Sequence, residues 1–96
     1  MRITDKDLLQ FKIPKRMWCG IQRYIEHGII PGDFLVSVIT NNLKEAFARA
    51  DDENVHLIED YLRLFYNHAP NTCWGSPEEM YAWNKRGGPN EGKQDD

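Results

Sequence analysis

Cys73 and Trp74 stand side by side in the link Asn67-His68-Ala69-Pro70-Asn71-Thr72-Cys73-Trp74-Gly75-Ser76-Pro77-Glu78-Glu79, between two stretches of helical pattern. A thiol becomes a nucleophile when a neighbouring base or a helix N-terminus lowers its pKa. Cys73 lies a few residues ahead of a helix start, His68 is near in sequence, and Asn71 could orient a partner. A small thiol enzyme using Cys73 is therefore one reading. Its competitor is a small buried packing residue, the usual role of a free cysteine in a core. The chain has no His-Glu-x-x-His pair, no cysteine–histidine set at finger spacing, no Gly-x-Gly-x-x-Gly and no Walker loop. The expectation is a protein without catalytic residues, metal ligands or cofactor.

The second available chemistry is anion binding. Arg16, Arg23 and His27 recur along one helical stretch, so one face can present two guanidiniums and an imidazole. A guanidinium fork matches a phosphate group. Rings on which a base could stack complete a nucleotide-type pocket. The sequence nominates Arg16, Arg23, Tyr24, His27, Asn41, Tyr66, Asn67 and Trp74 as ligand-binding residues. Against this stands the reading in which the rings are core and the charges an ordinary solvated face.

Helices must position these groups. Thr4, with Asp7 three residues on, caps a short opening turn through Phe11. Pro14 breaks the chain and can start the next helix, predicted over about Lys15–His27. Met17, Trp18, Ile21, Tyr24 and Ile25 give it one apolar stripe, and Gly28 is the expected left-handed cap. A tight turn, Ile29-Ile30-Pro31-Gly32, leads to Asp33 as cap of a second main helix, predicted from Phe34 to Ala50. Its buried side would be Phe34, Leu35, Val38, Ile39, Leu43, Ala46, Phe47 and Ala50, with Asn41 and Asn42 as poor helix formers in its middle.

Asp51 or Asp52 caps a third main helix running to His68, with Asp51, Asp52 and Glu53 at its positive end. Val55, Ile58, Tyr61, Leu62 and Phe65 form its stripe; Leu57, Leu64 and Tyr66 widen it, as a central helix or one with a second interface requires. Ser76, Pro77 and Glu79 form a capping signature for a last helix, Pro77 to about Arg86, stopped by Gly87-Gly88-Pro89. The expected fold is all-α: a small bundle of three main helices plus short terminal ones, one domain over 1–87 and a polar, disordered tail over 88–96.

Ninety-six residues with 41% hydrophobic and 11% aromatic content suffice for one modest core. A net charge of −3 argues against bulk nucleic-acid binding, although the first third is relatively basic. Apolar runs fall short of the ~20 residues that cross a bilayer. Arg2, Asp5, Lys6 and Asp7 interrupt any leader-like stretch. The expectation is a cytoplasmic protein with reduced thiols and no membrane partner.

The pieces Arg23-Tyr24-Ile25-Glu26-His27-Gly28-Ile29, Pro31-Gly32-Asp33-Phe34-Leu35, Arg49-Ala50-Asp51 and Cys73-Trp74-Gly75-Ser76, with Ile13-Pro14, Asn41, Leu43, Glu45-Ala46, Glu53-Asn54, Tyr66-Asn67 and Pro70 between and around them, are distinctive. With them the chain resembles, over residues 13–84, a family of small proteins associated with phage and prophage genomes. The resemblance implies a setting: an accessory protein acting stoichiometrically in the host cytoplasm, as a homo-oligomer, against host defence or physiology. Its partner would be a small anionic nucleotide-type signal that it sequesters, or a host protein that it inhibits.

Overall fold

The structure, a computed structural model, describes residues 3–89. Six α-helices follow in order: α1 (Asp5–Leu9), α2 (Lys15–His27), α3 (Asp33–Ile39), α4 (Leu43–Arg49), α5 (Ile58–His68) and α6 (Pro77–Arg86). Short 3-10 turns at Asn54–Leu57 and Asn71–Cys73 precede α5 and α6. Among the described residues there is no strand, so the fold is an all-α bundle. The tail expected over 88–96 falls largely outside the described residues, and Gly88 itself is buried.

Local signals place most ends. Thr4 and Asp7 form a reciprocal capping box on α1. Pro14 precedes α2, whose stripe of Trp18, Ile21, Tyr24 and Ile25 is buried. Gly28 ends α2 in the left-handed region, φ 71°. It also lies where any β-carbon would meet the Trp83 carbonyl at 2.6 Å, so the close approach of α2 and α6 requires glycine there. The Ser76 hydroxyl accepts from the Glu79 amide at the start of α6.

The predicted Phe34–Ala50 helix is in fact two. Asn41 adopts φ 62°, a left-handed conformation that an α-helix cannot contain, and Asn42 then caps α4 by accepting from the Glu45 amide at 3.2 Å. The last carbonyl of α3, on Ile39, is taken by the Gly75 amide at 2.7 Å, so the break is satisfied from the distant Cys-Trp-Gly-Ser segment. The consequence corrects the predicted faces. α4 turns Ala46 inward, and Leu43 and Phe47, expected in the core, are each 61% exposed. At α3, Gly32 is the cap residue and Asp33 the first helical one. The third main helix opens as a 3-10 turn, with the Asp51 carboxylate accepting from the Asn54 amide at 2.7 Å.

The core joins α2, α3, α5 and α6 through Ile21, Tyr24, Ile25, Leu35, Ile39, Tyr61, Leu64, Phe65, Cys73 and Trp83. Each buried polar ring tip has a partner, as burial demands. The Trp18 indole donates to the Ile13 carbonyl at 2.9 Å, and the Tyr61 hydroxyl to Asn54 Oδ1 at 2.5 Å. Burial pushes the Tyr61 phenol pKa up.

Two stability experiments follow. In denaturant titration, Phe65→Ala should cost about 3–5 kcal/mol, as truncation of a buried Phe does. Exposed Tyr81→Ala should change stability by no more than about 0.5 kcal/mol. At the helix break, Asn41→Ala should cost about 1 kcal/mol, because alanine keeps the β-carbon strain of the left-handed region and loses the short polar side chain that offsets it, while Asn41→Gly, which removes the β-carbon, should cost less.

Candidate functional site

α2 carries Arg16, Cys19, Gly20 and Arg23 on one exposed face, at the three-and-four spacing of a helix. The turn after Gly28 folds Ile29, Ile30, Pro31 and Gly32 back alongside that face. Between them lies a cleft of about 470 Å³, floored by Gly20, Met17 and Leu35. That volume is in the range of small-ligand and peptide sites. Ile29 and Ile30 stay exposed on its wall. A β-carbon on Gly20 would sit 3.7 Å from Leu35 Cδ1, an ordinary contact, so packing does not require glycine. Glycine inside a helix costs up to about 1 kcal/mol relative to alanine. What it supplies here is depth in the cleft floor.

The two guanidiniums differ. Arg16 is bound to Glu53 at 2.8 Å and to Asp51 at 2.9 Å, and these partners raise its pKa further. A neighbouring hollow past Arg16, reaching Arg49, is similarly balanced: Arg49 pairs with Asp33 at 3.3 Å and Glu45 at 3.2 Å. Arg23 is exposed and makes no ion pair among the described residues. It is the uncompensated cation at the cleft rim.

The structure separates the remaining nominated residues. Tyr24 is fully buried; its hydroxyl donates to the Cys73 carbonyl at 2.6 Å, and burial drives its pKa up. It belongs to the core, and the expectation that it faces a ligand is corrected. His27 is exposed in the last turn of α2, beyond the cleft lining. Asn41 lines a different feature, a notch of about 100 Å³ whose floor is Val38, Ala46, Ile58 and Leu62. Tyr66 is 75% exposed on α5. Asn67 is exposed and donates to the Arg63 carbonyl at 2.9 Å. Trp74 is half-buried with its ring against Phe65, centroids 5.6 Å apart. The predicted pocket thus assembles only as Arg16 with Arg23. No aromatic ring lines the cleft, so the base-stacking component is missing from it. Sequence reasoning missed Cys19, Gly20, Ile29 and Ile30. The signal was there in Gly20: a helix-breaking residue inside α2, four after Arg16 and three before Arg23.

The thiol chemistry expected of Cys73 is not assembled. Cys73 is fully enclosed, and burial pushes its thiol up to about 12. A nucleophilic thiol requires the opposite shift. His68 turns away, its ring edge-on to Phe11 at 5.7 Å and its Nδ1 4.0 Å from an Asp7 oxygen. Both cysteines are free, and only Cys19 is exposed. Among the described residues no three metal-ligating side chains gather, and no helix is long and apolar enough to cross a membrane.

Comparison with known proteins finds no matching family model, no matching curated protein and no matching solved structure.

The two thiols should therefore behave as a pair of opposites. Under native conditions at neutral pH, a maleimide should label Cys19 and spare Cys73, giving one adduct by mass spectrometry; unfolding should release the second. Two adducts on the folded protein would show that the enclosure of Cys73 is wrong.

Proposed function

We propose that this chain is a stoichiometric binding protein whose recognition surface is the α2 cleft. It takes an acidic, amphipathic segment of a partner protein. The observation that carries this reading is the pairing in one cleft of an apolar wall, Ile29 and Ile30, with the uncompensated guanidinium of Arg23. A peptide helix with aliphatic residues on one side and carboxylates beside them matches both features. Guanidinium–carboxylate contacts give orientation, and the apolar wall gives affinity.

The resemblance to phage-encoded accessory proteins supports placing such a partner in a host cell, where occupying one surface of a defence protein suffices to block it. The nucleotide-sequestering form of the same idea keeps Arg23 but loses its stacking platform, because Tyr24 is core and neither Tyr66 nor Trp74 lines the cleft. The enclosed Cys73 likewise favours binding over thiol catalysis.

A Cys19-attached environment-sensitive dye places a reporter inside the cleft. Titration with a library of helical peptides combining Leu or Ile with Glu should give a saturable signal. Arg23→Ala should weaken binding about tenfold, a loss of about 1.4 kcal/mol, with the thermal midpoint unchanged. Gly20→Leu should fill the cleft and abolish binding in a protein of unchanged helicity. If no peptide binds, or if Arg23→Ala binds as well as wild type, the reading fails. ATP or a cyclic dinucleotide binding through Arg23 where peptides do not would transfer the site to the small-anion alternative.

A further inference from the structure

Arg16 and Arg23 stand seven positions apart on α2, two helical turns and about 10 Å along its axis. Both line the cleft, yet an incoming anion meets them differently. Arg16 also lines the neighbouring hollow, so it marks the boundary between the two. One of its nitrogens, Nη2, donates to Glu53 at 2.8 Å and to Asp51 at 2.9 Å. Nη1 reaches only the Met17 sulfur, at 3.8 Å. Two carboxylates on one guanidinium give that end of the cleft an excess of negative charge. Arg49, inside the hollow, is shared in the same way by Asp33 and Glu45. We propose that Asp51 and Glu53 set the charge specificity of the cleft by competing with a partner's carboxylates for Arg16.

This inference rests on the cleft being the binding surface. It adds which acidic pattern that surface accepts: one carboxylate at Arg23, and none two turns away, where the cation is already taken. The geometry favours competition over support. A carboxylate that grips a guanidinium through two parallel bonds fixes its direction, whereas here two carboxylates crowd a single nitrogen. All three side chains are about half exposed, and exposed ion pairs contribute little to stability. A third carboxylate brought to the same place meets like charge, which interfaces penalise. The charges can also be removed without unmaking the fold. Asp51 caps the 3-10 turn through its other oxygen, Oδ1, which accepts from the Asn54 amide at 2.7 Å, and asparagine keeps that oxygen.

Two synthetic helical peptides make the test by isothermal titration calorimetry. One has Leu and Ile along one side and a single Glu; the other is identical but carries a second Glu seven positions away, matching the spacing of Arg16 and Arg23. Wild type should bind the two alike, within about twofold, because only Arg23 is on offer. The Asp51→Asn/Glu53→Gln double variant should bind the diglutamate peptide about tenfold more tightly and leave the monoglutamate affinity within about twofold. Adding Arg16→Ala to that variant should erase the gain, with the helical signal retained. Two results overturn the proposal and leave the cleft standing. One is a double variant without the gain. The other is a wild type that already prefers the diglutamate peptide about tenfold and loses the preference on Arg16→Ala. Binding of neither peptide to either protein removes the cleft reading, and this inference with it.

Discussion

The hydroxyl of Tyr24 has to find a partner in a place without water, and most of the architecture follows from how it does. It donates to the carbonyl of Cys73, while the carbonyl of Tyr24 itself accepts from the Trp83 indole at 2.8 Å. One residue of α2 is thereby tied to the link before α6 and to α6 itself. An unsatisfied phenol or indole at this depth would cost several times what a typical hydrogen bond contributes. The 3-10 turn that ends at Cys73 is consequently held in place, and the Gly75 amide two residues on is set to reach the Ile39 carbonyl. Asn84 adds a fourth tie through the Gly28 carbonyl at 2.8 Å.

This arrangement explains why the link rich in potential chemistry is structural. A thiol, an indole and a glycine placed together look like a site in one dimension. In three, the thiol is sealed beneath Tyr24, the Trp74 ring lies on Phe65, and Gly75 supplies an amide to end α3. The cleft of about 470 Å³ lies instead along the exposed flank of α2 that carries Arg16 and Arg23. The same helix buries one stripe to hold the fold and exposes the other, with Arg16 tethered and Arg23 not.

Short-range signals made much of this legible. The capping residues Thr4 and Ser76, the stop at Gly28 and the stripes of α2 and α5 were readable because they depend on neighbours within four positions. The break at Asn41 was legible only as an oddity, two asparagines inside a helical pattern, since its resolution needs Gly75 from the far end of the chain. Misreading it put Phe47 in the core. The nominated pocket failed for a related reason: periodicity says which residues share a helix face, and Tyr24, one position past Arg23, is turned about 100° round the helix, into the core. Of a cation and a ring adjacent in sequence, one is left at the surface and the other is sealed in the core.

The backbone of Gly88 packs so closely on the last turn of α2 that an added β-carbon would meet the Glu26 carbonyl at 2.6 Å. Trp83, which satisfies Tyr24, comes 59 residues after it. A chain emerging from the ribosome therefore presents α2 through α5 with their central ring unsealed, and closes only when its last helix arrives. Premature termination anywhere in α6 would remove the seal along with the helix, so a truncated product would expose core and become a substrate for proteolysis.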